Sequence, residues 1–234
     1  MPARPTVLLF DVDGTLATTT GSGRRAIERV FAARFGHPGV MQGVDFGGMT
    51  DRAIVRVGLG VVGQPTAGPA AEAAIDALLA EYLPLLDDEL DRASGFRVHP
   101  GVLETLAAVV GRAGVAVGLG TGNVRAGAET KLTRLGIFDH FGFGGFGDDH
   151  EDRPTLLRIG ATRGAGVLGV GLGECRVVVI GDTARDVAAA RAIQAESVGV
   201  GTSGSDPAAL RASGATHAFE TLAAPGVLDA LLGG

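Results

Sequence analysis

A chain of 234 residues can hold one large domain, or a core with a modest insert. At 46% hydrophobic residues it has ample material for a packed interior, which excludes a disordered chain. A net charge of −6 argues against a nucleic-acid partner, and no long block of like charge suggests a membrane surface or an interaction tail.

The first apolar run, Val7 to Phe10, is closed by Asp11 after four residues, so it is a strand and too short for a secretory leader. From about Ala17 to Arg97 no convincing strand follows. Ile27, Val30, Phe31 and Phe35 recur at helical spacing after Ser22, a potential N-cap. A short helix is expected after Thr50, with Ile54 and Val57 on one face. A longer one runs through Ile75, Leu78, Leu79, Tyr82 and Leu83, with Pro84 bending or ending it. Residues 17–97 therefore read as an all-helical insert, and residues 1–16 with 98–234 as a discontinuous core.

Beyond the insert, strands are expected at Val115 to Leu119, Val177 to Ile180, Val198 to Val200 and His217 to Phe219. Helical patterns alternate with them near 101–112, 124–135, 154–163, 184–193 and 206–213. Runs that are apolar on both faces suit a parallel sheet covered by helices on each side. The fold class is thus α/β, a doubly wound, Rossmann-like parallel sheet with an inserted helical cap. The apolar stretches Leu103 to Leu119 and Val167 to Ile180 are broken by charges, and neither is expected to span a bilayer. A cytoplasmic location is the expectation. Cys175, the single cysteine, has no disulfide partner and reads as a buried structural thiol.

The chemistry gathers at strand ends, where open α/β sheets bind ligands. Asp11-Val12-Asp13-Gly14-Thr15-Leu16 follows the first strand directly. Two carboxylates two residues apart can divide the work, one attacking and binding metal, the other handling a proton. An Asp-rich turn is the bland alternative. Leu119-Gly120-Thr121-Gly122-Asn123 closes the next strand and offers a hydroxyl and free N–H groups to an anion, or an ordinary N-cap at Thr121 or Asn123. Ile180-Gly181-Asp182-Thr183-Ala184-Arg185-Asp186 adds two carboxylates four residues apart, again with N-capping as the alternative. Carboxylates with backbone oxygen form a hard-oxygen site of the kind Mg²⁺ prefers. His37, His99, His140, His150 and His217 show no zinc spacing and read as loop or surface residues.

These motifs resemble those of the haloacid dehalogenase-like hydrolases, specifically the phosphoglycolate phosphatase-like branch. Asp11 to Leu16 matches the first motif, Thr121 to Asn123 the second and Gly181 to Asp186 the fourth. The resemblance implies a magnesium-dependent phosphatase in which Asp11 becomes an aspartyl-phosphate. Asp13 would protonate the leaving alcohol and then activate water. Asp11, the Asp13 backbone carbonyl and Asp182 would hold Mg²⁺, with Asp186 assisting directly or through water, and Thr121, Gly122 and Asn123 would bind the phosphoryl group. The implied partner is a small phosphorylated metabolite; a monomer is compatible with the chain.

The third motif departs from the family. Its usual lysine is matched by Arg153, in Asp152-Arg153-Pro154, and an Arg fork can still bind phosphate. Lys131, the single lysine, lies ten residues beyond Thr121, roughly 15 Å along a helix at 1.5 Å per residue. It is expected to be solvated and dispensable. Phe46-Gly47-Gly48-Met49-Thr50-Asp51-Arg52 resembles the cap segment that faces the active site in relatives, and its Arg52 would meet an anionic substrate tail or pair with acidic residues of the cap.

Two glycine patterns, 164–169 and 199–204, mimic a dinucleotide-binding turn, but the first follows a helix and little sheet follows the second. A phosphomutase is the nearest alternative. A metal-independent dehalogenase fits less well, because such enzymes lack the second aspartate, and a non-enzymatic binding protein fits least.

Overall fold

The computed structural model describes residues 4–233. β1 (Thr6–Phe10) enters a turn that ends in the two-residue strand β2 (Ala17–Thr18). Three helices follow, α1 (Ser22–Phe35), α2 (Asp51–Val61) and α3 (Pro69–Arg92), before β3 (Arg97–Val98) pairs antiparallel with β2. The rest alternates: α4 (Val102–Val109), β4 (Val115–Gly120), α5 (Arg125–Arg134), β5 (Gly144–Gly145), α6 (Arg153–Val167), β6 (Arg176–Gly181), α7 (Ala184–Ala192), β7 (Glu196–Val200), α8 (Pro207–Ala212), β8 (His217–Phe219) and α9 (Val227–Leu232).

The main sheet has the order β5-β4-β1-β6-β7-β8, and every pairing in it is parallel. β1 is buried along its whole length, as the run Val7 to Phe10 requires. Its side chains alternate between two cores. Leu8 and Phe10 pack with Val102, Leu106 and Leu132 on one face. Val7 and Leu9 pack with Leu156, Leu157 and Ala161 on the other, where Cys175 is also buried. Period-two alternation thus divides one strand between two helical layers.

The insert builds its own core from Ile27, Phe31, Ile54, Leu59, Ile75 and Tyr82. Three details differ from the sequence reading. α3 continues through Pro84 to Arg92. The proline removes one backbone donor, but Leu78, Tyr82, Leu86 and Leu90 keep the helix anchored on both sides of it. In α2 the inward residues are Ile54, Val55 and Leu59, whereas Val57 is 39% exposed. Gly21 precedes the first turn of α1, and Ser22 is its first residue, donating to the carbonyls of Thr19 and Glu89. β2, β3, β5 and α9 carried no expectation; β2 and β3 fall at the two ends of the stretch read as strand-free, and the Gly144–Gly145 strand offers no β-forming side chain to signal it.

Among the described residues, no helix is long and apolar enough to cross a membrane.

Candidate active site

The carboxyl ends of β1, β4 and β6 lie side by side, so three loops distant in sequence meet at one edge. Asp11 follows β1 directly and is buried. Gly14, at φ +82°, turns the chain back. A Cβ there would lie 2.2 Å from Asp182 Oδ2, so glycine is needed for conformation and for space. Asp11, Asp182 and Asp186 are all buried, with one carboxylate oxygen of each within 4.8 Å of the others.

Asp186 does two things. Its Oδ2 accepts from the Thr183 N–H at 3.0 Å and from the Thr183 hydroxyl at 2.7 Å, a capping box for α7. Its Oδ1 faces the site, 2.5 Å from a terminal nitrogen of Arg153, and that nitrogen is 3.0 Å from Asp11 Oδ2. Neither approach is aligned as a hydrogen bond, which leaves Asp186 Oδ1 and two Arg153 nitrogens buried without an aligned partner.

This crowding shifts the acids. Burial, opposed by Arg153 and aided by Asp186 and Asp13, pushes Asp11 up to about 6. Burial, with Asp11 and Asp186 adding to it, pushes Asp182 up to about 7. Three carboxylates facing one guanidinium, with unaligned oxygen at the centre, suit a hard divalent cation. A consequence follows for stability. An acid with a raised pKa binds its proton more readily in the folded chain, so the stability that Asp11 and Asp182 contribute to the metal-free protein falls as pH rises from about 4 to about 7. Asp182→Asn is expected to flatten that fall, measured as melting temperature against pH in chelator. An unchanged slope would place the strain elsewhere.

Asp13 sits in a different setting. Its Oδ2 accepts from Lys131 Nζ at 2.6 Å and from Asn123 Nδ2 at 2.8 Å, and its Oδ1 from the Thr19 hydroxyl at 3.1 Å. Burial raises its pKa, but the Lys131 charge and these hydrogen bonds outweigh it and hold Asp13 below the ordinary range.

Lys131 corrects the sequence reading. It is 2% exposed and also donates to Asn123 Oδ1. Helix α5 begins only at Arg125, so Lys131 is less far along it than counting from Thr121 suggests. Helical side chains also lean toward the N-terminus, which carries the ammonium back to the site.

The second motif is engaged with itself and with Asp13. Thr121, fully buried, accepts from Asn123 N at 3.2 Å and from Asn123 Nδ2 at 2.9 Å. Neither residue caps α5. Val124 is the N-cap, and its N–H donates at 2.8 Å to Asp51 Oδ2 from the insert. Asp51 N in turn donates to the Gly122 carbonyl at 2.8 Å, and a Cβ on Gly122 would lie 2.2 Å from Met49 O. Gly122 therefore lets the insert seat closely on the core.

Arg153 and Lys131 thus lie on different carboxylates of the same site. Arg52 pairs with Glu72 at 2.7 Å and Asp76 at 2.5 Å within the insert. His99 lies in the loop between β3 and α4 and is 8% exposed, whereas His37, His140, His150 and His217 are exposed. Of the two glycine patterns, Gly164 and Gly166 fall within α6, while the loop after β7 brings Thr202 onto the Gly14 carbonyl and Ser203 to the cavity wall. The sequence reading also missed Thr19 and Tyr82, and in the segment Phe46 to Arg52 it singled out Arg52 rather than Asp51. The cavity over the carboxylates measures about 290 Å³ and is shared by insert and core. A larger cleft, about 650 Å³, lies at the opposite edge near Arg4, Cys175 and Arg176, away from this acidic cluster.

A parallel sheet with buried carboxylates gathered at its carboxyl edge defines a Rossmann-like α/β protein with an acidic centre. A family model for haloacid dehalogenase-like hydrolases matches residues 5–194, and the chain belongs to that family. Among curated proteins no match is found. Solved structures share the fold. A hydrolase from Pseudomonas syringae aligns with TM-score 0.67 and 22% identity over 97% of this chain and 96% of that one. β-Phosphoglucomutase from Clostridium difficile aligns with TM-score 0.67 and 18% identity over 94% and 92%. A predicted phosphoglycolate phosphatase from Haemophilus somnus aligns with TM-score 0.65 and 17% identity over 99% and 98%.

Proposed function

We propose that this chain is a magnesium-dependent phosphatase of small phosphate monoesters, working through an aspartyl-phosphate at Asp11. The observation that carries this reading is the pair of aspartates on one strand end in opposite electrostatic settings. Asp11 lies with Asp182, Asp186 and Arg153, and Asp13 is held by Lys131, Asn123 and Thr19. Different environments are what allow two carboxylates to take different roles.

Asp11 attacks phosphorus through one carboxylate oxygen, and the bond from phosphorus to the leaving oxygen breaks. Arg153 faces the charge that spreads over the equatorial oxygens. Thr121 and the backbone at Gly122 and Asn123 orient the phosphoryl group at the start of α5. Asp13 gives its proton to the leaving alcohol, then takes one from the water that attacks the acyl phosphate and restores Asp11. In the state described Asp13 is ionised, so it takes up its proton as the dianionic phosphoryl group arrives beside it. Asp11, Asp182, Asp186 and the Asp13 carbonyl would hold Mg²⁺, which supplies positive charge between an anionic nucleophile and an anionic substrate.

Residues 17–97 form a cap that excludes water during transfer. Its position over the site is supported by the Asp51 contacts and by Arg56, 2.6 Å from Glu151 of the core. The reaction is that of a soluble enzyme acting on a metabolite. A phosphomutase would use the same carboxylates, with a sugar hydroxyl replacing water as acceptor.

Phosphate release from an aryl phosphate is expected to stop in excess chelator and return with added Mg²⁺. Asp182→Ala is expected to raise the Mg²⁺ concentration needed for half-maximal rate by about tenfold or more, the scale of metal-site losses. Full activity in chelator would point to metal-free chemistry instead.

A further inference from the structure

We propose that Tyr82 and Asp51 form a subsite for the leaving group, selecting esters of uncharged, hydroxyl-bearing alcohols over esters that carry a second charge. This rests on the phosphatase reading and goes beyond it to the class of substrate.

Tyr82, on α3, is 1% exposed and borders the cavity, yet its hydroxyl makes no hydrogen bond among the described residues. A buried phenol usually finds a partner. Asp51 also borders the cavity. Its Oδ2 is spent on the Val124 N–H, while its Oδ1 has no hydrogen bond among the described residues. A donor-acceptor hydroxyl and a carboxylate oxygen are thus left to face whatever occupies the space. Ile27, Phe46, Met49 and Ile54 also line this cavity, giving it the apolar surface that suits a carbon skeleton.

The charges argue against an ionic tail of either sign. Each cation lining the cavity among the described residues is already committed, Arg24 and Lys131 to protein acceptors and Arg153, whose Nε and one terminal nitrogen lack an aligned partner, to the phosphoryl group in the proposed reaction. Arg24 donates to the carbonyls of Met41 and Val44, with its guanidinium 3.9 Å over the Phe46 ring. Lys131 is on Asp13, and Arg153 lies beside Asp11 and Asp186. A carboxylate on the substrate would therefore find no free cation and would meet Asp51. An ammonium would be drawn to Asp51 but opposed by Lys131. A Cβ on Gly23 would lie 3.4 Å from the Tyr82 hydroxyl and 3.9 Å from Lys131 Nζ, so hydroxyl and ammonium border the same small space. A neutral hydroxyl satisfies both free groups, donating to Asp51 and pairing with Tyr82, without meeting a like charge. The cavity, about 290 Å³, sits at the lower end of ordinary ligand pockets, so the alcohol is small.

The test compares kcat/KM with Mg²⁺ for phenyl phosphate, glycerol phosphate, phosphoglycolate and phosphoethanolamine. Glycerol phosphate is expected to exceed both charged esters by about tenfold or more. Tyr82→Phe is expected to lower the ratio of glycerol phosphate to phenyl phosphate by about three- to tenfold, the worth of one hydrogen bond. Gly23→Ala narrows the space from another helix and is expected to lower the same ratio while the melting temperature holds. Preference for phosphoglycolate or phosphoethanolamine overturns the subsite and leaves the phosphatase standing, as does an unchanged ratio in both variants. No phosphate release from any of the four esters overturns the phosphatase reading and the subsite together.

Discussion

Asp11→Asn is expected to leave a folded protein whose turnover falls by roughly 10⁴-fold or more, the scale of losing a nucleophile. The amide keeps the shape of the carboxylate but not its nucleophilicity. Folding is expected to survive, because Asp11 is a buried acid that burial already pushes toward neutrality. The amide removes one negative charge from the cluster with Asp182 and Asp186, so the metal-free variant is expected to melt at or above the temperature of the parent. Phosphate release and thermal melts on one preparation check both halves. Near-parental turnover in Asp11→Asn would end the covalent mechanism.

The second large effect separates the two cations. Arg153→Ala is expected to cut turnover by roughly a hundredfold or more, the scale of a lost oxyanion donor. Arg153→Lys is expected to recover part of that, since charge returns without the two-pronged geometry. Lys131→Ala is also expected to be damaging, by about ten- to a hundredfold, because it removes a charge-assisted hydrogen bond from Asp13, the proposed acid/base group. This reverses the expectation drawn from its place in the chain. Thr19 and Asn123 still hold Asp13 in that variant, so the fold is expected to persist. Steady-state kinetics beside melting curves distinguish the outcomes. A harmless Lys131→Ala would mean that its contact with Asp13 plays no part in turnover, and a harmless Arg153→Ala would remove Arg153 from the phosphoryl site.

Strand ends explain why so much of the site was legible. β1, β4 and β6 are short apolar runs, and the residues that follow each run must emerge at one edge of a parallel sheet. Asp11, Asp13, Thr121, Asn123, Asp182 and Asp186 occupy such places, and the structure gathers all six. Arg153 stands at the start of α6, where its Pro154 neighbour marks a helix N-terminus, and it too reaches the cluster. The helices α1, α2 and α3 were legible for a different reason, the change from strand-like runs to helical spacing after residue 17.

Lys131, Asp51 and Tyr82 were not legible in that way. Each sits inside or at the start of a helix; Lys131 and Asp51 take their settings from partners far along the chain, and Tyr82 takes its from the cavity it borders. Lys131 meets Asp13 across 118 positions, and Asp51 meets Val124 across 73. Pro84 shows the converse, a local signal for a bend or an end, of which packing around Leu78, Leu86 and Leu90 rules out the end.

Local pattern therefore settles the order of elements, the parallel sheet and the carboxylates at its edge, because each depends on residues adjacent in the chain. Which cation serves which aspartate, how the insert seats at Gly122, and what lines the cavity above the site were decided only by the tertiary structure. Those properties depend on side-chain direction and on distances between segments that share no local periodicity.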